Sequence, residues 1–126
     1  MEQKIPKIPT AEWEVMEVLW RRPGLTGSEV HAQLPRRDRK LKTVNTLLAR
    51  LVERGVLETE RIGKAFRYTP LLERETCVRK ESAGFVRRIL NGQWSPLVLQ
   101  LVEDADLSPS EIEELEKLLE QKRKRR

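Results

Sequence analysis

The segment between Lys42 and Gly55 has the clearest periodicity in the sequence. Its apolar residues recur at intervals of three and four positions, as they do along one face of an α-helix: Val44, Leu47, Leu48, Leu51 and Val52. The opposite face carries polar or basic residues that can donate hydrogen bonds: Lys42, Thr43, Asn45, Thr46 and Arg50. A helix divided in this way buries one face in a core and presents the other to solvent or to a partner.

The period of the pattern changes to two directly after this helix. Residues 56–62 and 65–69 therefore predict two strands, joined by a tight turn at Gly63-Lys64. Upstream, the sequence predicts a helix from Thr10, its expected N-cap, to residue 21, and a short helix that starts at the capping box Thr26-Gly-Ser-Glu29. Three helices followed by a hairpin within residues 1–70 indicate a winged helix-turn-helix domain.

Residues 71–126 carry further helical patterns and no strand signal. We expect one helix over residues 73–90, a second with Ser95 as its N-cap and Pro96 as its first residue, and a third from a capping box at Ser108. The apolar stripes of these helices are too broad for isolated helices in water, which favours a homodimer. The predicted dimerisation residues are Val78, Phe85, Ile89, Leu97, Val98, Leu101, Val102, Ile112, Leu115, Leu118 and Leu119. The alternative is a single globule of six helices within one chain.

The predicted fold class is therefore mainly α with a small β-hairpin. It consists of a winged helix-turn-helix domain at residues 1–70 and a helical dimerisation domain with a basic tail at residues 71–126. Charge follows the same division: residues 1–70 hold 14 Lys and Arg against 9 Asp and Glu, whereas residues 71–121 hold 6 against 11. This asymmetry favours a polyanion as the partner of the first domain.

Double-stranded DNA is the polyanion that best fits these features. An α-helix fits the major groove, so we predict that the polar face of the third helix, Lys42 to Arg50, contacts base edges. Basic residues before that helix and on the hairpin are predicted to contact the DNA backbone: Arg36, Arg37, Arg39, Lys40, Lys64 and Arg67. Two alternatives remain open: these faces are merely solvated, or the domain is a protein-interaction module without sequence-specific DNA binding.

Other chemistries have little support in the sequence. One histidine and one cysteine cannot assemble a zinc site or a catalytic triad, so we expect neither an enzyme nor a bound metal or cofactor. A single cysteine, Cys77, forms no intrachain disulfide. Since no apolar run approaches the ~20 residues of a membrane span and the N-terminus lacks a secretory pattern, we expect a cytoplasmic protein without a membrane partner.

Several segments, in their order along the chain, resemble the penicillinase-repressor family of bacterial transcription regulators. They include Ile8-Pro-Thr-Ala-Glu-Trp-Glu-Val-Met16, Lys42-Thr-Val-Asn-Thr-Leu-Leu-Ala-Arg-Leu51, Lys64-Ala-Phe-Arg-Tyr68 and Ser95-Pro-Leu-Val-Leu99. The resemblance implies a homodimeric repressor that binds inverted repeats, commonly of the TACA/TGTA type. It also implies that the polar face of the third helix reads the DNA, with Asn45 at a position where relatives often have arginine.

Two departures from the family concern the signal that releases the repressor. Antibiotic-responsive members are cleaved by an inducing protease at an Asn-Phe bond, and the aligned pair here is Gln100-Leu101. The resemblance therefore leaves open whether a protease cuts this chain at that bond. Copper-responsive members carry paired cysteines where this chain has Lys122 to Arg126, so we expect no copper sensing by that route.

Overall fold

The computed structural model describes residues 5–35 and 38–125. Within these ranges the chain forms six helices and three strands: α1 (Thr10–Arg21), β1 (Leu25–Thr26), α2 (Gly27–Gln33), α3 (Leu41–Glu53), β2 (Leu57–Ile62), β3 (Ala65–Pro70), α4 (Arg74–Ile89), α5 (Ser95–Asp104) and α6 (Pro109–Lys124). The predicted fold class, mainly α with a winged helix-turn-helix, is confirmed. Arg36 and Arg37, two of the predicted DNA-backbone residues, lie outside the described residues.

The core lies where α1, α2 and α3 pack together and are covered by the start of β2. From α3 it takes the predicted apolar stripe, of which Val44, Leu48 and Leu51 are fully buried. The other helices and the following strand contribute Val15, Met16, Val18, Leu19, Val30, Val56 and Leu57. Burial of these side chains, each contributing ~1.5–3 kcal/mol, fixes the rotation of α3 about its own axis.

The sheet has three strands in the order β1-β3-β2. The predicted hairpin is confirmed: β2 and β3 pair antiparallel from Leu57↔Pro70 to Ile62↔Ala65, with Gly63 in the turn at φ +62°. The sequence did not predict β1, because two residues carry no recognisable alternation. Thr26 of β1 pairs with Arg67 of β3, and this pairing attaches the start of α2 to the hairpin.

Two predicted N-caps are wrong by one residue. Thr10 is the first residue of α1, and the extended residue before it is Pro9, whose carbonyl accepts the Trp13 N–H at 2.8 Å. Similarly, Ser95 lies inside α5, and the Trp94 carbonyl accepts the Val98 N–H at 3.2 Å. Neither helix has a side-chain cap, so the serine and threonine hydroxyls do not determine where these helices begin.

The chain divides into two compact units, Met1–Gly84 and Phe85–Arg126. The unit with the winged helix extends beyond residue 70 because Leu72 and Cys77 are 5% and 1% exposed and belong to its core. The other unit contains the end of α4 together with α5 and α6. Among the described residues, no helix combines the length and the apolar character that crossing a membrane requires.

Candidate nucleic-acid interface

The α3 helix is divided into the two faces that its sequence predicts. Val44, Leu48 and Leu51 are fully buried, whereas the predicted DNA-reading residues are all exposed: Lys42, Thr43, Asn45, Thr46 and Arg50. The anchored flank holds the polar flank at a fixed angle on the surface. A rigidly held row of donors is what a base-reading helix requires, because hydrogen bonds to bases depend on direction.

Two polar side chains of this face have partners within the protein. The Thr46 hydroxyl donates to the Lys42 carbonyl at 3.0 Å, which leaves the methyl group of Thr46 as its outward-facing part. The Asn45 amide lies against Gly27, at the first turn of α2. The Thr46 side chain is therefore oriented by a hydrogen bond within the protein, and the Asn45 amide lies next to the first turn of α2.

The β2–β3 hairpin, or wing, stands beside α3. A concave space of about 410 Å³ lies between the wing and the start of α2, and its lining includes Asn45 of α3 together with Lys64, Phe66 and Tyr68 of the wing. Phe66 is 46% exposed, whereas burial of Tyr68 raises the pKa of its phenol. Phe66 and Tyr68, two residues apart on β3, both line this space. Sequence reasoning overlooked Phe66 as a surface group, since alternation alone does not say whether a strand face is covered.

The basic residues around α3 differ in their surroundings. Three of them are exposed: Lys40 directly before α3, Lys64 at the tip of the wing and Arg67 on β3. Arg39, another predicted contact of the DNA backbone, is less accessible than these three residues. Its side chain is 16% exposed, and its guanidinium lies 3.2 Å from the Glu14 carboxylate. Because it also donates to the Ala11 carbonyl at 3.4 Å, Arg39 attaches the turn before α3 to α1.

The end of α3 is held by an ion pair that the sequence did not predict. The Glu12 carboxylate, on a residue that is 2% exposed, pairs with the Arg54 guanidinium, and Arg54 also donates to the Lys7 carbonyl at 3.0 Å. The two residues are too far apart in sequence to show a pairing pattern, so no local signal was available.

The α2 helix is capped at its start and is connected near its end to the turn before α3. At its start the predicted capping box is confirmed, with the Thr26 N–H donating to the Glu29 carboxylate at 3.0 Å and the Glu29 N–H to the Thr26 hydroxyl at 3.3 Å. These hydrogen bonds lower the pKa of the Glu29 carboxyl. Near its end, the His31 Nε2 lies 2.7 Å from the Arg39 carbonyl, which connects α2 to the turn before α3.

The predicted dimerisation residues fall into three groups. Val78 of the first unit is half-buried and lines a pocket with Ile8 and Trp13. In the second unit Leu97 and Leu115 are half-buried, and the rest are exposed: Phe85, Ile89, Val98, Leu101, Val102, Ile112, Leu118 and Leu119. Neither α5 nor α6, both described in full, contains a buried residue. Their apolar faces are therefore open to solvent in a single chain.

Two further groups bear on the earlier expectations. Cys77 is buried in the core, and this burial raises the pKa of its thiol, as expected for a packing residue. The pair Gln100-Leu101 lies inside α5, and proteolysis prefers loops to helix interiors. Across residues 5–35 and 38–125, no cluster of His, Cys, Asp or Glu could hold a metal ion.

A helix with a buried apolar face and an exposed polar face, braced by a short preceding helix and flanked by a hairpin, defines a winged helix-turn-helix DNA-binding protein. The chain belongs to the family of the penicillinase repressor, whose model matches residues 8–121. This is a family of DNA-binding transcriptional repressors, not of enzymes.

Individual relatives agree with this assignment. The chain is 35% identical over 123 residues to the methicillin resistance regulatory protein MecI of Mammaliicoccus sciuri, covering 97% of this chain and 100% of that protein. It is also 35% identical over 125 residues to the penicillinase repressor of Bacillus licheniformis, covering 98% of each. The solution structure of the DNA-binding domain of the repressor BlaI matches 58% of this chain and 90% of that domain, with 36% identity and a TM-score of 0.51.

Proposed function

We propose that this protein represses transcription by binding an inverted-repeat operator as a homodimer. The observation that carries the proposal is the exposed polar face of α3, which is held in place by the fully buried Val44, Leu48 and Leu51. In this role Asn45 forms paired hydrogen bonds with an adenine, and Arg50 contacts a guanine or a phosphate. The methyl groups of Thr43 and Thr46 contact thymine methyls.

The DNA backbone is contacted on both sides of α3. Lys40, directly before the helix, meets phosphates of the groove that α3 enters, and Lys64 at the tip of the wing meets the adjacent stretch of backbone. Arg67 adds a positive charge on the other side of β3. These contacts provide affinity and register rather than sequence preference, so their contribution falls with salt concentration.

A second copy of the chain supplies the other half of the interface. Burial of the exposed apolar side chains of α5 and α6 lowers the free energy by ~25 cal/mol for each Å² that leaves water. A two-fold contact through these helices places two copies of α3 on half-sites one DNA turn apart, ~34–36 Å, as an inverted repeat requires. We therefore assign residues up to Gly84 to DNA binding and the rest to dimerisation.

The test compares two substitutions in equilibrium binding to an inverted-repeat duplex and to a scrambled duplex, over a range of salt concentrations. Asn45→Ala is expected to cost ~1–3 kcal/mol on the inverted repeat and much less on the scrambled duplex, because it removes a base contact. Lys64→Ala is expected to weaken binding to both duplexes alike and to lower the salt slope by ~0.9, the value of one phosphate contact.

Each outcome has a definite meaning for the proposal. If Asn45→Ala weakens binding to both duplexes equally, Asn45 does not read bases. If the unmodified protein shows no sequence preference and only a weak response to salt, the chain is a protein-interaction module and the repressor proposal is wrong.

A further inference from the structure

Gly27 is a glycine whose backbone does not explain why a glycine is there. Gly24, Gly55, Gly63 and Gly92 have φ values between +62° and +83°, and an added Cβ at each would meet nothing within 4 Å. Those four positions use the backbone freedom of glycine. Gly27 is instead the first residue of the α2 helix, and its backbone conformation is one that any L-residue adopts. The space in which its Cβ would lie, however, is occupied.

The group that occupies this space is the side chain of Asn45. A Cβ on residue 27 would lie 2.3 Å from the Asn45 Oδ1 and 3.5 Å from its Cγ, whereas the nearest atom of Leu48, Cδ1, would be at an ordinary 3.5 Å. A methyl group at position 27 and the present orientation of Asn45 are therefore mutually exclusive. Because Asn45 is exposed, its side chain can rotate away, so the conflict changes its orientation rather than the fold.

We propose that Gly27 is a specificity-determining position, which acts by leaving room for the Asn45 amide over the first turn of α2. The inference rests on the proposed function, in which Asn45 reads a base. A paired amide–adenine contact needs a defined direction for both the oxygen and the nitrogen of the amide.

The wider geometry agrees with this role. Gly27 and Asn45 line the same concave space as Lys64 and Phe66 of the wing, so the amide lies between the reading helix and the hairpin. Thr26, the residue before Gly27, is fixed by the capping box and by its pairing with Arg67. The first turn of α2 is thus a rigid surface against which the amide is placed.

The experiment is a double-mutant cycle on base discrimination. Unmodified protein first selects its best duplex from a random pool, and discrimination is then the ratio of its affinity for that duplex to its affinity for single-base variants. Gly27→Ala and Asn45→Ala are each expected to lower discrimination at one and the same base pair by about tenfold, within the range of a lost paired contact. In the Asn45→Ala background Gly27→Ala is expected to have no further effect, because the conflicting side chain is gone.

The variants also separate a change of orientation from a change of fold. Alanine is a better helix former than glycine, so Gly27→Ala is expected to melt at or above the temperature of the unmodified protein. Gln33→Ala, at the exposed far end of α2 and outside that concave space, serves as the matched control and is expected to keep the discrimination ratio. If Gly27→Ala melts earlier and Asn45→Ala does not restore stability, the added methyl clashes elsewhere and the proposal is wrong.

The remaining outcomes are equally informative. Unchanged discrimination by Gly27→Ala, or an equal loss in the presence and absence of Asn45, overturns the role of Gly27. Loss of discrimination in Asn45→Ala but not in Gly27→Ala leaves the proposed function standing and overturns this inference alone. If the unmodified protein prefers no duplex over any other, the proposed function itself has failed.

Discussion

The ion pair between Glu12 and Arg54 holds the start of α1 against the end of α3, and its removal is expected to destabilise the first unit. Arg54→Ala leaves the Glu12 carboxylate, on a residue that is 2% exposed, without its cationic partner. Breaking a buried pair from one side costs ~3–5 kcal/mol. Because the Arg54 side chain is 31% exposed, solvent screens part of the interaction, and we expect a loss of about 2–3 kcal/mol.

Urea denaturation of the full chain, followed by circular dichroism, measures this loss as a change in the free energy of unfolding. For a unit of this size a loss of that order corresponds to a fall in Tm of roughly 8–20 °C. The matched control replaces both partners, Glu12→Leu together with Arg54→Met. Two apolar groups leave no unpaired charge, so the double variant is expected to recover most of the stability.

Two results would refute this reasoning. A loss below about 1 kcal/mol in Arg54→Ala would mean that water reaches the Glu12 carboxylate despite its burial. A double variant that loses as much as the sum of the single variants Glu12→Leu and Arg54→Met would show that packing around α1, rather than the ion pair, carries the energy.

Two further predictions concern the dimer and the helix caps. Leu101→Glu places a charge on the exposed apolar face of α5 and is expected to raise the dimer dissociation constant at least tenfold in sedimentation equilibrium, since a buried leucine contributes ~1.5–3 kcal/mol. Gln100→Glu, on the neighbouring position of the same helix, is the control, and an unchanged dimer in Leu101→Glu would exclude this face from the contact. The hydrogen bonds from Thr26 lower the pKa of the Glu29 carboxyl in the folded chain. They therefore stabilise the fold above ~4.3, the pH at which an unfolded glutamate titrates, and this contribution is lost as the pH falls through the lower pKa of the folded chain. Glu29→Gln removes the titrating carboxyl and is expected to reduce that acid-dependent loss in a pH series of urea titrations, and an identical pH profile would contradict the assignment.

Local patterns were sufficient to predict most of the fold. The α3 stripe, the hairpin turn at Gly63-Lys64 and the capping boxes at Thr26 and Ser108 are all encoded within a few neighbouring residues. The helix starts at Thr10 and Ser95 were each predicted one residue off, because a hydroxyl in the right place says nothing about whether it forms a cap. The strand β1 was missed because its pairing partner on β3 is remote in sequence.

The same distinction holds for the candidate interface. The sequence predicted which residues of α3 are polar and exposed, since that depends only on helical spacing. It did not predict the pairing of Arg39 with Glu14, which joins the turn before α3 to α1. It also set the end of the first domain at residue 70, whereas Leu72 and Cys77 belong to the core of the first unit.

By itself, the sequence determined the order and type of the helices and of the two hairpin strands, the two faces of α3 and the family, because periodicity, caps and turns act between near neighbours. The tertiary structure decided which charges are paired, how far the first unit extends, and that Gly27 lies under the Asn45 amide. Those features depend on residues that folding brings together from distant parts of the chain, and the spacing of residues along one helix or strand does not record such encounters.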